Sequence, residues 1–202
     1  MVLTIAPRFE RDHTRFRDAT LIPFIFGAAL AGACLFGVAG VLGALAQEAF
    51  QQPGATVLWV VVALTAVLYG ISYVVGRPLP VPATSRQVPK LWREAFSPAV
   101  ATLLYGLGLG IGFFTRVPGI TLYIALAVAV AAGNPGLSLA AGAAYGVARA
   151  LPVLLYRLPD VSIESGRMTL DAIATKGLVV QRINGAALLV VGLLLPLAHL
   201  TT

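Results

Sequence analysis

Five long apolar runs decide what this chain can fold into. They cover residues 21–46, 56–75, 99–132, 137–155 and 183–200, and each is of the order of the ~20 residues that cross ~30 Å of hydrocarbon as a helix. Lipid offers no partner to an unpaired backbone group, so helix is the default for such runs. A membrane β-barrel would instead show segments of ~10 residues alternating apolar and polar side chains. No such alternation is present. Composition agrees: 58% of the residues are hydrophobic and 11% are charged, against roughly 25% charged in a soluble domain. The expected fold is therefore an all-α integral membrane protein, a polytopic helical bundle of about five crossings.

Charge placement gives the orientation. Arg8, Arg11, Arg15 and Arg17 precede the first run; Arg77, Arg86, Lys90 and Arg93 follow the second; Arg157, Arg167, Lys176 and Arg182 lie between the last two. The connections at 47–55 and 133–136 hold no Lys or Arg. The positive-inside rule puts all three basic segments in the cytoplasm, which requires one net crossing between 96 and 133. That run is too long for one straight span and carries a break at Thr115-Arg116-Val117-Pro118-Gly119. Two half-helices making one crossing satisfy the charge rule. A hairpin of two short helices would give six crossings and put the last basic loop outside.

These signals divide the chain into a cytoplasmic arm (1–19), two transmembrane helices (20–76), a Pro-rich cytoplasmic linker (77–98) and a second transmembrane half (99–202). The second half holds the broken helix 99–132, a helix at 137–157, a cytoplasmic loop at 158–181 and a helix at 182–202. The linker ends in a short amphipathic piece around Leu91 to Phe96. The charged start and the length of the first run argue against a cleaved signal peptide. The expected location is the bacterial cytoplasmic (inner) membrane, multi-pass, with a cytoplasmic N-terminus.

A net charge of +6 is accounted for by topology and anionic headgroups, so no nucleic-acid partner is expected. All eight carboxylates lie outside the apolar runs, which weakens any relay built on intramembrane Asp or Glu. With one cysteine there is no intrachain disulfide, and no His/Cys/carboxylate cluster has metal-site spacing. No cofactor is expected, and the sequence leans away from an enzyme.

Three residues could carry chemistry. Arg116 sits at the break with Thr115, Pro118 and Gly119. An arginine at depth costs from about 2.5 to more than 10 kcal/mol and is normally functional or paired. Half-helix N-termini at such a break could help it meet an anionic or thiolate group, which makes these four residues the candidate substrate or gating site. The competing reading has Arg116 near one face, snorkelling to headgroups. Snorkelling also fits Arg149, close to the cytoplasmic end of its helix. Cys34 is mid-helix, where a buried inert thiol is the usual state and redox catalysis the sharper alternative. The small residues spaced by four (Gly106/Gly110, Gly108/Gly112, Gly142/Gly146) allow close helix approach.

Residues 107–155 (LGLGIGFFTRVPGITLYIALAVAVAAGNPGLSLAAGAAYGVARALPVLL), with Arg182-Ile183-Asn184-Gly185 and the run to Leu195, resemble the transmembrane domain of the cytochrome c biogenesis and DsbD-type thiol:disulfide carriers. In that family a glycine-rich helix is broken at a Thr-Pro-Cys-type motif, a small-residue helix follows, and the last helix begins with a basic residue and Gly. Ala33-Cys34 stands roughly where the family has its other Pro-Cys. Here the break reads Phe114-Thr115-Arg116-Val117-Pro118-Gly119, without the second cysteine, and the Pro-rich linker replaces one helix of the first repeat. The resemblance implies broken helices around a central cavity. Electron transfer between two cysteines is not available to this chain alone. Three functions follow: a divergent carrier assisting redox-protein maturation; a transporter or channel for a small, anionic solute; or a non-catalytic membrane subunit of a larger complex. The partners implied are the lipid bilayer and a redox protein or membrane complex.

Overall fold

The apolar runs do form helices. The computed structural model describes residues 15–81, 95–112, 120–155 and 177–200, and every regular element among them is helical. In chain order these are α1 (Arg15–Val75), α2 (Pro98–Ile111), α3 (Thr121–Ala132), α4 (Pro135–Leu155) and α5 (Gly177–Leu200). Three stretches, Thr20–Ala49, Thr56–Val75 and Gly177–Pro196, are long and apolar enough to cross a membrane, while α2 and α3 are shorter apolar helices. Of the amphipathic piece expected at Leu91 to Phe96, residues 91–94 fall outside the described residues, as do 158–176 of the expected loop at 158–181, whose last residues belong to α5.

Local sequence sets the helix ends. Pro98 and Pro135 stand at first-turn positions, where the missing N–H costs nothing. The Asn134 side chain accepts a hydrogen bond from the Leu137 N–H at 3.0 Å, an N-cap for α4. Gly112 (φ 74°) and Gly133 (φ 56°) close α2 and α3 in the left-handed conformation that residues with a Cβ rarely adopt.

Many of the buried side chains are alanines, and many large apolar ones are outside. Ala28, Ala31, Ala63, Ala66 and Ala150 are buried, whereas Leu30, Leu42, Leu64, Leu137, Ile183 and Leu193 are exposed. In water this arrangement would leave a large apolar surface wet. In lipid it is the ordinary one, because helices there associate through close backbone approach rather than by hiding leucines.

The chain packs as two units. The first comprises Met1–Leu35, Thr84–Arg116 and Leu139–Pro159. A Cβ added to Gly106 would strike the backbone at Phe24 and Ala28, and one on Gly110 would strike Ala28, Ala31 and Gly32. Contacts thus climb together along both chains, and α2 runs parallel to its α1 neighbour. Gly142 abuts Gly32 while Gly146 abuts Ala28, so α4 runs antiparallel to the same segment.

The second unit comprises Phe36–Ala83, Val117–Ser138 and Asp160–Thr202. Its buried cluster is Val62, Ala66, Tyr73, Ile120, Ile124 and Leu188. Val130 abuts Gly43, and the Gln47 amide reaches Ala131 and Gly133. After Gly133 the chain turns back, and Ser138 returns to Gly40. α3 therefore advances with the first arm of α1. Tyr73 meets Ile120 at the opposite end of α3. A straight helix from 47 to 73 would be about 39 Å long, more than twice the roughly 18 Å of α3. α1 consequently bends between Gln47 and Tyr73. The sequence of that stretch contains Pro53-Gly54, a pair at which helices commonly bend. The second arm of α1 then runs against α3. Gly185 packs on Gly70 and Tyr73, and Gly192 on Ala63 and Val67, so α5 runs antiparallel to that second arm.

Candidate functional site

Intramembrane polar groups are the places to look for function, because each must be satisfied internally. In the first unit the group is Arg149 on α4. Its Nη1 donates to the Leu109 carbonyl at 3.1 Å and to the Tyr145 hydroxyl at 3.2 Å, and its guanidinium carbon lies 5.7 Å from the centroid of the Tyr145 ring. Tyr145 is one turn before Arg149, so the pair shares a face. Leu109 belongs to the last turn of α2, and its carbonyl also accepts the Gly112 N–H at 3.2 Å. The positive side chain thus sits at the negative end of the α2 dipole.

Packing places this cation beside an apolar stretch. Gly110 and Gly146 flank Ala28–Gly32 of α1, about 12 to 18 Å along that helix from Thr20, inside the apolar run Thr20–Ala49 rather than at its end. The sequence suggested a snorkelling Arg149. In the structure the guanidinium reaches back along α4 to the end of α2, because side chains on a helix lean toward its N-terminus.

In the second unit the polar groups tie α3 at both ends. The buried Tyr73 hydroxyl accepts the Ile120 N–H at 3.1 Å, and Gln47 Nε2 donates to the Ala131 carbonyl at 2.8 Å. Thr121 and Asn184 of α5 are joined by both atoms of the amide, at 3.1 and 3.0 Å from the hydroxyl oxygen. Gln181 Nε2 is buried without a hydrogen-bond partner.

Of the residues singled out from sequence, Thr115, Arg116, Pro118 and Gly119 lie outside the described residues. Cys34 is described, and it is exposed rather than buried. It lies two turns beyond Gly27 on the same side of α1. Leu103 and Leu107 cover Gly27, whereas Cys34 joins a stripe of exposed Leu30, Val38, Val41 and Leu45. Among the described residues no group of three or more His, Cys, Asp or Glu could hold a metal ion. Tyr73, Gln47, Tyr145 and Asn184 were not singled out from sequence. Their signal was present, since each is a polar side chain inside or at the edge of an apolar helix.

The chain is similar to proteins named methylamine utilization protein MauF. It is 30% identical to that of Methylophilus methylotrophus over 174 residues, 84% of this chain and 59% of the relative. With that of Paracoccus versutus it shares 31% over 167 residues, 81% and 59% of the two chains. With that of Paracoccus denitrificans the figure is 34% over 133 residues, 66% and 47%. The chain spans about half to three-fifths of the length of these curated relatives. No family model matches it, and no solved structure does.

Proposed function

We propose that this chain is a multi-pass membrane accessory protein of methylamine utilization, built on a scaffold like that of the thiol:disulfide carriers and assisting maturation of a redox protein outside the membrane. The observation that carries the first part is the match to MauF across 84% of the chain.

The topology that goes with this role has five crossings, with the N-terminus and the basic segments in the cytoplasm. Support comes from helix direction in each unit. In the first unit α2 advances with the stretch of α1 it packs on, and in the second α3 advances with its own stretch. α4 opposes its α1 neighbour, and α5 opposes the second arm of α1.

Any thiol chemistry at Cys34 needs a second sulfur from another molecule. Its thiolate would attack a partner disulfide, form a mixed disulfide and release the partner's other sulfur as thiolate; a further partner thiol would then restore Cys34. Cys34 is exposed among apolar side chains, so such a partner would have to meet it on the apolar face of α1.

A second reading, a transporter or channel for a small anionic solute, is favoured by the arginine held between apolar helices. The two part company in one experiment. Deleting the gene in its own host is expected to abolish growth on methylamine as nitrogen source, with growth restored by the gene in trans and unaffected on ammonium. Undiminished growth on methylamine would overturn the accessory role.

A further inference from the structure

The carbonyls of the last turn of a helix have no partner within it, and α2 ends beside the apolar run of α1. An unsatisfied carbonyl there is costly. Two donors meet the Leu109 carbonyl: the Gly112 N–H from the cap and Nη1 of Arg149 from a different helix. The first belongs to the cap itself. The second fixes where that end stands, because Arg149 is on α4, and α4 is pinned to α1 by the backbone contacts of Gly142 and Gly146.

We infer that Arg149 is a positioning residue: through the Leu109 carbonyl it clamps the C-terminus of α2 onto the α1–α4 pair, with Tyr145 holding the guanidinium in place. The clamp answers two problems at once. It adds a second donor to a carbonyl at the end of α2, and it gives a half-buried cation the partial negative charge of the α2 dipole together with the face of an aromatic ring. Glycines on α1, α2 and α4 bring the three backbones close enough for an arginine to bridge them. The loose end of a half-helix is thereby turned into a fixed point of the first unit.

Amide hydrogen exchange of the full chain in lipid nanodiscs, read by mass spectrometry, tests this directly. Arg149→Gln, too short to bridge, is expected to speed exchange in the peptide ending at Gly112 by about tenfold or more, with α5 unchanged. Arg149→Lys keeps the charge and the reach, and is expected to recover most of the protection. Should Arg149→Gln fail to fold, Tyr145→Phe removes only the hydroxyl and is expected to give a smaller increase, about two- to threefold, confined to the same peptide. Unchanged exchange at the end of α2, or an equal increase in every helix, would overturn the clamp. Methylamine does not enter this measurement, so the clamp stands or falls apart from the proposed function.

Discussion

Gln47 and Tyr73 belong to one helix and hold opposite ends of another. Tyr73 accepts the Ile120 N–H before the first turn of α3, and Gln47 donates to the Ala131 carbonyl in its last. A helix of 12 residues is too short to be stable alone, and its free ends are the reason. Side chains from the two arms of α1 supply what the ends lack, and in doing so they require α1 to bend.

The two ties differ in strength. Tyr73 is buried, so Tyr73→Phe leaves a buried N–H unpaired and is expected to cost about 1 to 3 kcal/mol. Gln47→Leu exposes a carbonyl at a partly open position and is expected to cost no more than about 1.5 kcal/mol. Thermal unfolding in one detergent gives the ranking. An equal loss, or a larger one at Gln47, would contradict it.

Backbone contact in the first unit makes some glycines irreplaceable. Gly146→Leu would drive a side chain into the backbone at Ala28 and Ala29, whereas Gly177 has open space around it. Gly146→Leu is expected to abolish a monodisperse purified protein, a loss beyond about 4 kcal/mol. Gly177→Ala is expected to be neutral. Size-exclusion profiles of the two variants are the check.

The link between Thr121 and Asn184 is between helices and is made twice. Hydrogen bonds of this kind in membrane proteins average about 0.6 kcal/mol and reach about 1.7. Asn184→Leu is accordingly expected to be mild, and a double-mutant cycle with Thr121→Val should return a coupling in that range. A coupling near zero would mean the pair contributes nothing.

Thiol trapping in native membranes addresses Cys34. Its exposed position leads to the expectation that a membrane-permeant maleimide labels it without denaturant, and that Cys34→Ser lowers growth on methylamine if exchange with a partner matters. Full labelling with normal growth of the serine variant would remove the thiol from the function and leave the scaffold.

Much of the helical layout was legible in the sequence, because hydrophobicity and length alone identify apolar helices. The connection at 133–136 reads as the gap between two apolar runs, and the structure makes Gly133 a cap and Asn134-Pro135 a helix start. Side-chain direction was harder. Arg149 stands near a charged loop in sequence, which suggests snorkelling; its inward course depends on where α2 ends, a relation between residues 40 positions apart. Cys34 looked buried because it is mid-helix among small residues, yet the face it occupies is decided by which turns of α1 the neighbours cover. The bend in α1 had its Pro-Gly signal, but the caps at Gln47 and Tyr73 needed the tertiary fold.

The proposed topology has one net crossing between Pro98 and Ala132, and the sidedness of every loop follows from it. Single cysteines at Leu79, Leu137 and Leu178, all exposed, in a Cys34→Ala background can be labelled with an impermeant maleimide in right-side-out and inverted vesicles. Positions 79 and 178 are expected to react from the cytoplasmic side and 137 from the opposite side. Labelling of 137 from the same side as 79, with 178 on the other, would contradict the single crossing and establish a hairpin in its place.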